Sequence, residues 1–88
     1  MDKRPMELSD TVPMMTSADY KERFRAEYCQ AGIRLQKLTA MLHDWDEGNL
    51  SFTPTCPRST LELQVRVMKD YLTVLEARAV MEGIKLED

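Results

Sequence analysis

The sequence predicts an all-α protein: an antiparallel αα-hairpin of two long helices that assembles into a homo-oligomeric helical bundle. Three observations predict it. The first is the stripe Phe24, Tyr28, Ala31, Leu35, Leu38, Leu42 and Trp45, whose steps alternate between four and three residues. That spacing keeps all these side chains on one face of a helix, whereas a strand would turn half of them to water. The second is the matching stripe Leu61, Val65, Met68, Leu72, Leu75 and Ala79, which follows a proline-rich connection. Two such stripes pack antiparallel, in the manner of a short coiled coil. The third is a second apolar stripe on the later helix, Leu63, Val67, Tyr71, Val74 and Met81, echoed weakly by Ala26, Ile33 and Ala40 on the earlier one. One partner helix cannot cover both stripes, so association with further copies is expected. The small size points the same way, since a core of this length rarely yields more than about 3–5 kcal/mol.

Residues 1–16 read as a flexible N-terminal arm. Pro5 and Pro13 interrupt any continuous helix, and Met6, Leu8, Val12, Met14 and Met15 make it more apolar than a solvated tail. Docking of this Met-rich part on a neighbouring subunit is the alternative. The hairpin is expected over 17–83. Its first helix, 17–47, starts at the Thr16-Ser17-Ala18-Asp19 cap and stops at Gly48-Asn49. Gly32 lies inside it at a cost of about 1 kcal/mol in propensity relative to alanine. The connection, 48–58, is kept extended by Pro54 and Pro57, with Leu50 and Phe52 as its expected anchors. Ser59-Thr60-Leu61-Glu62 has the form of a capping box, which opens a second helix over 59–82 with Gly83 as its stop. Residues 84–88 are left as a C-terminal tail.

At 88 residues and a net charge of −3, the chain has room for one domain, and bulk charge argues against duplex nucleic acid as a partner. No apolar run reaches the length of a membrane span, and no secretory leader is expected at the N-terminus. Cys29 and Cys56 lack metal-ligand spacing and are expected to be reduced thiols, and His43 is the sole histidine. No metal, cofactor or catalytic residue is expected. Charge is uneven, however: residues 20–40 hold Lys21, Arg23, Arg25, Arg34 and Lys37 against Glu22 and Glu27. Guanidinium forks and a mobile ammonium suit phosphate, and Tyr20 and Tyr71 can offer ring faces to a base. The competing expectation is a solvated coiled-coil flank, with Arg23, Arg34 and Lys37 paired to Glu62, Asp70 or Glu76.

Arg23-x3-Glu27-Tyr28, Arg34-x2-Lys37-Leu38 and Leu63-Gln64-x3-Met68-x2-Tyr71-x3-Leu75-x2-Arg78 resemble a family of small proteins of crAss-like phages and phages of Firmicutes. That family is similar to the helical-hairpin domain of anti-CBASS and anti-Thoeris nucleotide sponges. The resemblance covers about residues 20–83. It implies a homo-oligomer that sequesters a cyclic oligonucleotide or cyclic ADP-ribose immune signal, without cleaving it, in the cytoplasm of the infected bacterial host. It also implies that the ligand lies between subunits, against Tyr20, Arg34, Lys37, Tyr71 and Arg78. The second functional expectation is a non-catalytic module that docks on a host or phage protein through the second apolar stripe.

Overall fold

The computed structural model describes residues 7–86, and these are all helix, turn and loop, with no strand among them. In chain order they form a 3-10 turn, Leu8–Thr11, followed at once by a short helix α1, Val12–Met15. Two long helices come next, α2, Tyr20–Asp46, and α3, Arg58–Glu82. At 1.5 Å per residue, α2 is about 40 Å long, and it accounts for the longest dimension of the molecule, 42 Å.

The start of α2 is set by Asp19, whose carboxylate accepts from the Lys21 amide at 3.0 Å. The helix therefore begins at Tyr20 rather than at residue 17, because Asp19 supplies the cap and the Ser17 hydroxyl instead accepts from the Asp19 amide. Gly48, at φ 76°, turns the chain away after Asp46. The expected capping box at the start of α3 does not form: Pro57 occupies the cap position and offers no side-chain acceptor. Arg58 takes over the job of fixing this corner. Its guanidinium donates to both oxygens of Asp46, at 2.6 and 3.0 Å, and lies 5.2 Å from the centroid of the Trp45 ring. Its Nε is 2.9 Å from Glu62, within ion-pair range but off the line that a hydrogen bond needs. Phe52, expected as an anchor, is 55% exposed, so the arginine clamp and not the aromatic ring ties the connection down.

The ends of α2 and α3 meet in antiparallel order. Tyr20 at the start of α2 bonds Glu82 at the end of α3, and Asp46 at the end of α2 bonds Arg58 at the start of α3. Phe24, Leu75, Ala79 and Ile84 form the buried cluster, flanked by Tyr28 and Leu86. Ile84 belongs to the segment expected as a tail. Gly83, at φ 69°, makes the left-handed turn that reverses the chain, and the Ile84 amide then bonds Ala79 at 2.8 Å. The turn returns the Ile84 side chain to the core at 6% exposure. Residues 87 and 88 lie outside the described residues, as do residues 1–6 of the arm.

The rest of the arm is not a free tail. The 3-10 turn and α1 pack against α2. Thr11 is completely buried; its hydroxyl donates to the Leu8 carbonyl at 2.7 Å and accepts from the Gln30 amide at 2.8 Å. Ala26 and Ile33, on the weak second stripe of α2, are buried, whereas Ala40, beyond the reach of the arm, is exposed. Both apolar faces of α2 are thus covered within the chain over most of its length.

Candidate ligand-binding surface at the α2/α3 seam

Two residue rows with heptad spacing line one edge of the seam. Tyr20, Glu27 and Arg34 follow one another on α2, and Gln64, Tyr71 and Arg78 on α3. Spacing by seven returns a side chain to nearly the same direction. In antiparallel order, Tyr20 meets Arg78 and the Tyr71 hydroxyl donates to Glu27. One heptad further along each helix, the same register sets Arg34 opposite Gln64.

The Tyr20 end is a closed triangle. The Tyr20 hydroxyl donates to Glu82 at 2.7 Å, Arg78 Nε donates to the other Glu82 oxygen at 3.0 Å, and Arg78 Nη2 donates to the Tyr20 oxygen at 2.8 Å. The Arg78 guanidinium also covers the Phe24 ring, 4.9 Å from its centroid. These contacts hold Glu82 below the usual carboxylate range, mainly through Tyr20 and then Arg78. They push the Tyr20 phenol up, chiefly because its hydrogen bond to Glu82 would be lost on ionisation, and they raise Arg78 through Glu82. All these groups remain in contact with solvent.

The basic residues of the first long helix have divided destinations. Lys21 donates to the Gly83 carbonyl at 3.3 Å, and Arg25 donates to the Lys85 carbonyl and, at 2.9 Å, to Glu22. Arg23 donates to the Ser17 carbonyl at 2.8 Å, and Lys37 reaches Glu7 on the arm at 3.2 Å. Four of the five cations thus hold the chain's own two ends in place. Their partners are not the expected Glu62, Asp70 or Glu76. Arg34 is the exception: it is exposed and has no hydrogen bond or ion pair among the described residues.

Of the five residues singled out from the sequence, Tyr20, Tyr71 and Arg78 therefore share one edge and Arg34 continues it. Lys37 is on a different side, turned towards the arm. Sequence reasoning missed the carboxylates Glu27 and Glu82 that position the two phenols. A signal for Glu27 was present, since it lies midway between Tyr20 and Arg34 in the same heptad row. Chemically, the edge offers ring faces, guanidinium donors and carboxylate acceptors, a set that suits a ligand with phosphates, ribose hydroxyls and base amino groups. No group of three metal-ligating side chains occurs among the described residues, and none of their helices is long and apolar enough to cross a membrane.

The model of one protein family, Sequestin, matches residues 18–81. This span takes in α2, the connection and nearly all of α3, and it leaves out the arm. No curated protein and no solved structure matches the chain.

Proposed function

This chain belongs to the Sequestin family, and we propose that it binds a small phosphate-bearing nucleotide signal and holds it without cleaving it. The ligand class is a cyclic oligonucleotide or a cyclic ADP-ribose isomer. The setting is the cytoplasm of a phage-infected bacterium, where withdrawal of the signal would blunt an immune response. The binding unit in this reading is an αα-hairpin, and the working protein is a homo-oligomer of such hairpins. The observation that carries the proposal is the seam edge, where Tyr20 and Arg34 of α2 and Tyr71 and Arg78 of α3 present rings and cations along one edge. Arg34 supplies the guanidinium that has no partner within the described residues.

The test is direct. The purified protein is incubated with a panel of cyclic oligonucleotides and cyclic ADP-ribose isomers, washed and denatured, and the released material is identified. The proposal expects one class to be retained and released chemically unchanged. Retention of none, or release of a cleaved product, would contradict it. One observation favours a second reading. Leu63, Val67 and Val74 are about half exposed and Met81 is 82% exposed, on a face of α3 that nothing among the described residues covers. A module that docks on a host or phage protein through that face is the alternative function. It predicts that the panel binds nothing while the exposed face captures a different chain.

A further inference from the structure

The exposed face of α3 is itself a heptad seam. Leu63, Val67, Asp70, Val74, Ala77 and Met81 follow one another in steps of four and three, over about 27 Å of helix. The surface that complements such a seam is another helix with the same repeat. Neither face of α2 is available: one packs on α3 and the other carries the arm. A second copy of α3 presents the required stripe. The charged residue in the seam decides its direction. In a parallel pair Asp70 would face Asp70 of the second copy, two like charges in one buried layer. Antiparallel, the six positions form layers of Leu63 against Met81, Val67 against Ala77 and Asp70 against Val74, each occurring twice about a twofold axis near Leu72. The flanks then agree. Gln64 stands beside Arg78 of the second copy and Tyr71 beside its own counterpart, while Thr73 meets Thr73 on the opposite flank. Along the two α3 flanks themselves no like charges meet; the two guanidiniums that approach each other, Arg34 and Arg78 of the second copy, come from different helices and leave a cationic site for an anion.

The consequence concerns the ligand surface. Gln64, Tyr71 and Arg78 form the flank that borders both the intrachain seam and the exposed face, so the twofold axis joins two such edges into one groove. Within one chain Arg34 and Arg78 lie two heptads apart along the seam, about 21 Å. In the pair, Arg34 stands opposite Gln64, and Gln64 stands beside Arg78 of the second copy. We infer that α3 pairs antiparallel with α3 of a second copy, and that each anion site is composite: Arg34 and Gln64 from one copy, Arg78 and Tyr20 from the other. A pair then carries two equivalent phosphate sites, one near each end of the groove. This rests on the sequestration reading for the identity of the ligand; the pairing itself does not.

Two experiments test it separately. The first needs no ligand. With Cys29 and Cys56 replaced by serine, Thr73→Cys is expected to form a disulfide-linked dimer under mild oxidation. Leu63→Cys alone should not, while a mixture of Leu63→Cys and Met81→Cys should. Self-linking of Leu63→Cys, or no linking in any sample, would overturn the antiparallel pair. The second uses the member of the panel that binds. Arg34→Ala and Arg78→Ala should each weaken binding roughly tenfold to a hundredfold. Unfolded together and refolded, the two variants should regain wild-type affinity in about one site in four, because each mixed pair contains one undamaged composite site. Binding by the wild type with no recovery in the mixture would overturn the composite site. If the wild type binds nothing in the panel, the sequestration reading and the composite site fall together, and the cross-links alone decide the pairing.

Discussion

The two long helices carry almost the same repeat and have different surroundings. On α2 the main stripe packs on α3, and Ala26 and Ile33 on its second face lie beneath the arm, where Thr11 is fully buried. On α3 the main stripe reaches full burial only at Leu75 and Ala79, and its second face is open from Leu63 to Met81. What separates the two is the supply of cover. Among the described residues, the 3-10 turn and α1 pack on α2, and Ile84 and Leu86 of the tail close over the core. A helix with two apolar faces needs two partners, and α3 finds one among the described residues, α2. A row of large apolar side chains left in water along one helix face marks an interaction surface.

The largest effect expected inside the fold is at the closed end. Leu75→Ala removes a side chain that is 1% exposed and should cost about 2–5 kcal/mol in a urea melt. Val67→Ala on the open face should change the stability of the dissociated chain by no more than about 0.5 kcal/mol. Equal losses at the two positions in dilute protein would erase the distinction between the faces. Cover by the arm is tested next. Thr11→Val keeps the shape of the side chain but removes the hydroxyl that bonds both Gln30 and the Leu8 carbonyl, and should cost about 1–3 kcal/mol and loosen the arm. Faster amide exchange at Ile33 and its neighbours, with α3 unchanged, is the expected signature. Gly83→Ala puts a Cβ on a residue at φ 69° and should cost about 1–2 kcal/mol, because an L side chain is strained at that φ where glycine is not.

The smallest effect is a pH window at the Tyr20–Arg78–Glu82 triangle. Glu82 is held below its ordinary value of 4.5, so its contribution is complete above that value and is lost as pH falls through the lower folded one. Tyr20 is raised above its ordinary value of 10.0, so its contribution is complete below that value and is lost as pH rises through the higher folded one. Phenolate absorbance should therefore show one of the tyrosines ionising late, and Glu82→Gln should bring it back towards the ordinary range. No change in that variant would mean the triangle does not persist in solution.

The sequence shows some of this and hides the rest for physical reasons. The stripe from Phe24 to Trp45 and its match on α3 are legible because helical packing leaves its period in the order of residues. The open face of α3 is legible for the same reason. Docking of the arm is not: it turns on a pair, Thr11 and Gln30, separated by 19 positions, in a segment too short to hold a period. The fate of the basic residues is hidden by chemistry. Lys21, Arg23 and Arg25 donate to backbone carbonyls, and every residue has a carbonyl, so no acceptor is marked in the sequence. Lys37 looked equivalent to Arg34 on charge and spacing, and it differs only because Glu7 folds back beside it. Glu27 could be placed on the site from its heptad position. Glu82 could be placed only once Gly83 was known to end α3 next to Tyr20.

The contrast between a helix covered by its own chain and one left open is tested most directly by the mass of the protein in solution. At tens of micromolar, light scattering should report at least twice the 10.2 kDa of one chain. Val67→Glu should return it to that single mass while its helical circular dichroism is retained. A wild-type protein that runs as a monomer at this concentration, or a Val67→Glu variant that keeps the wild-type mass, would contradict the account.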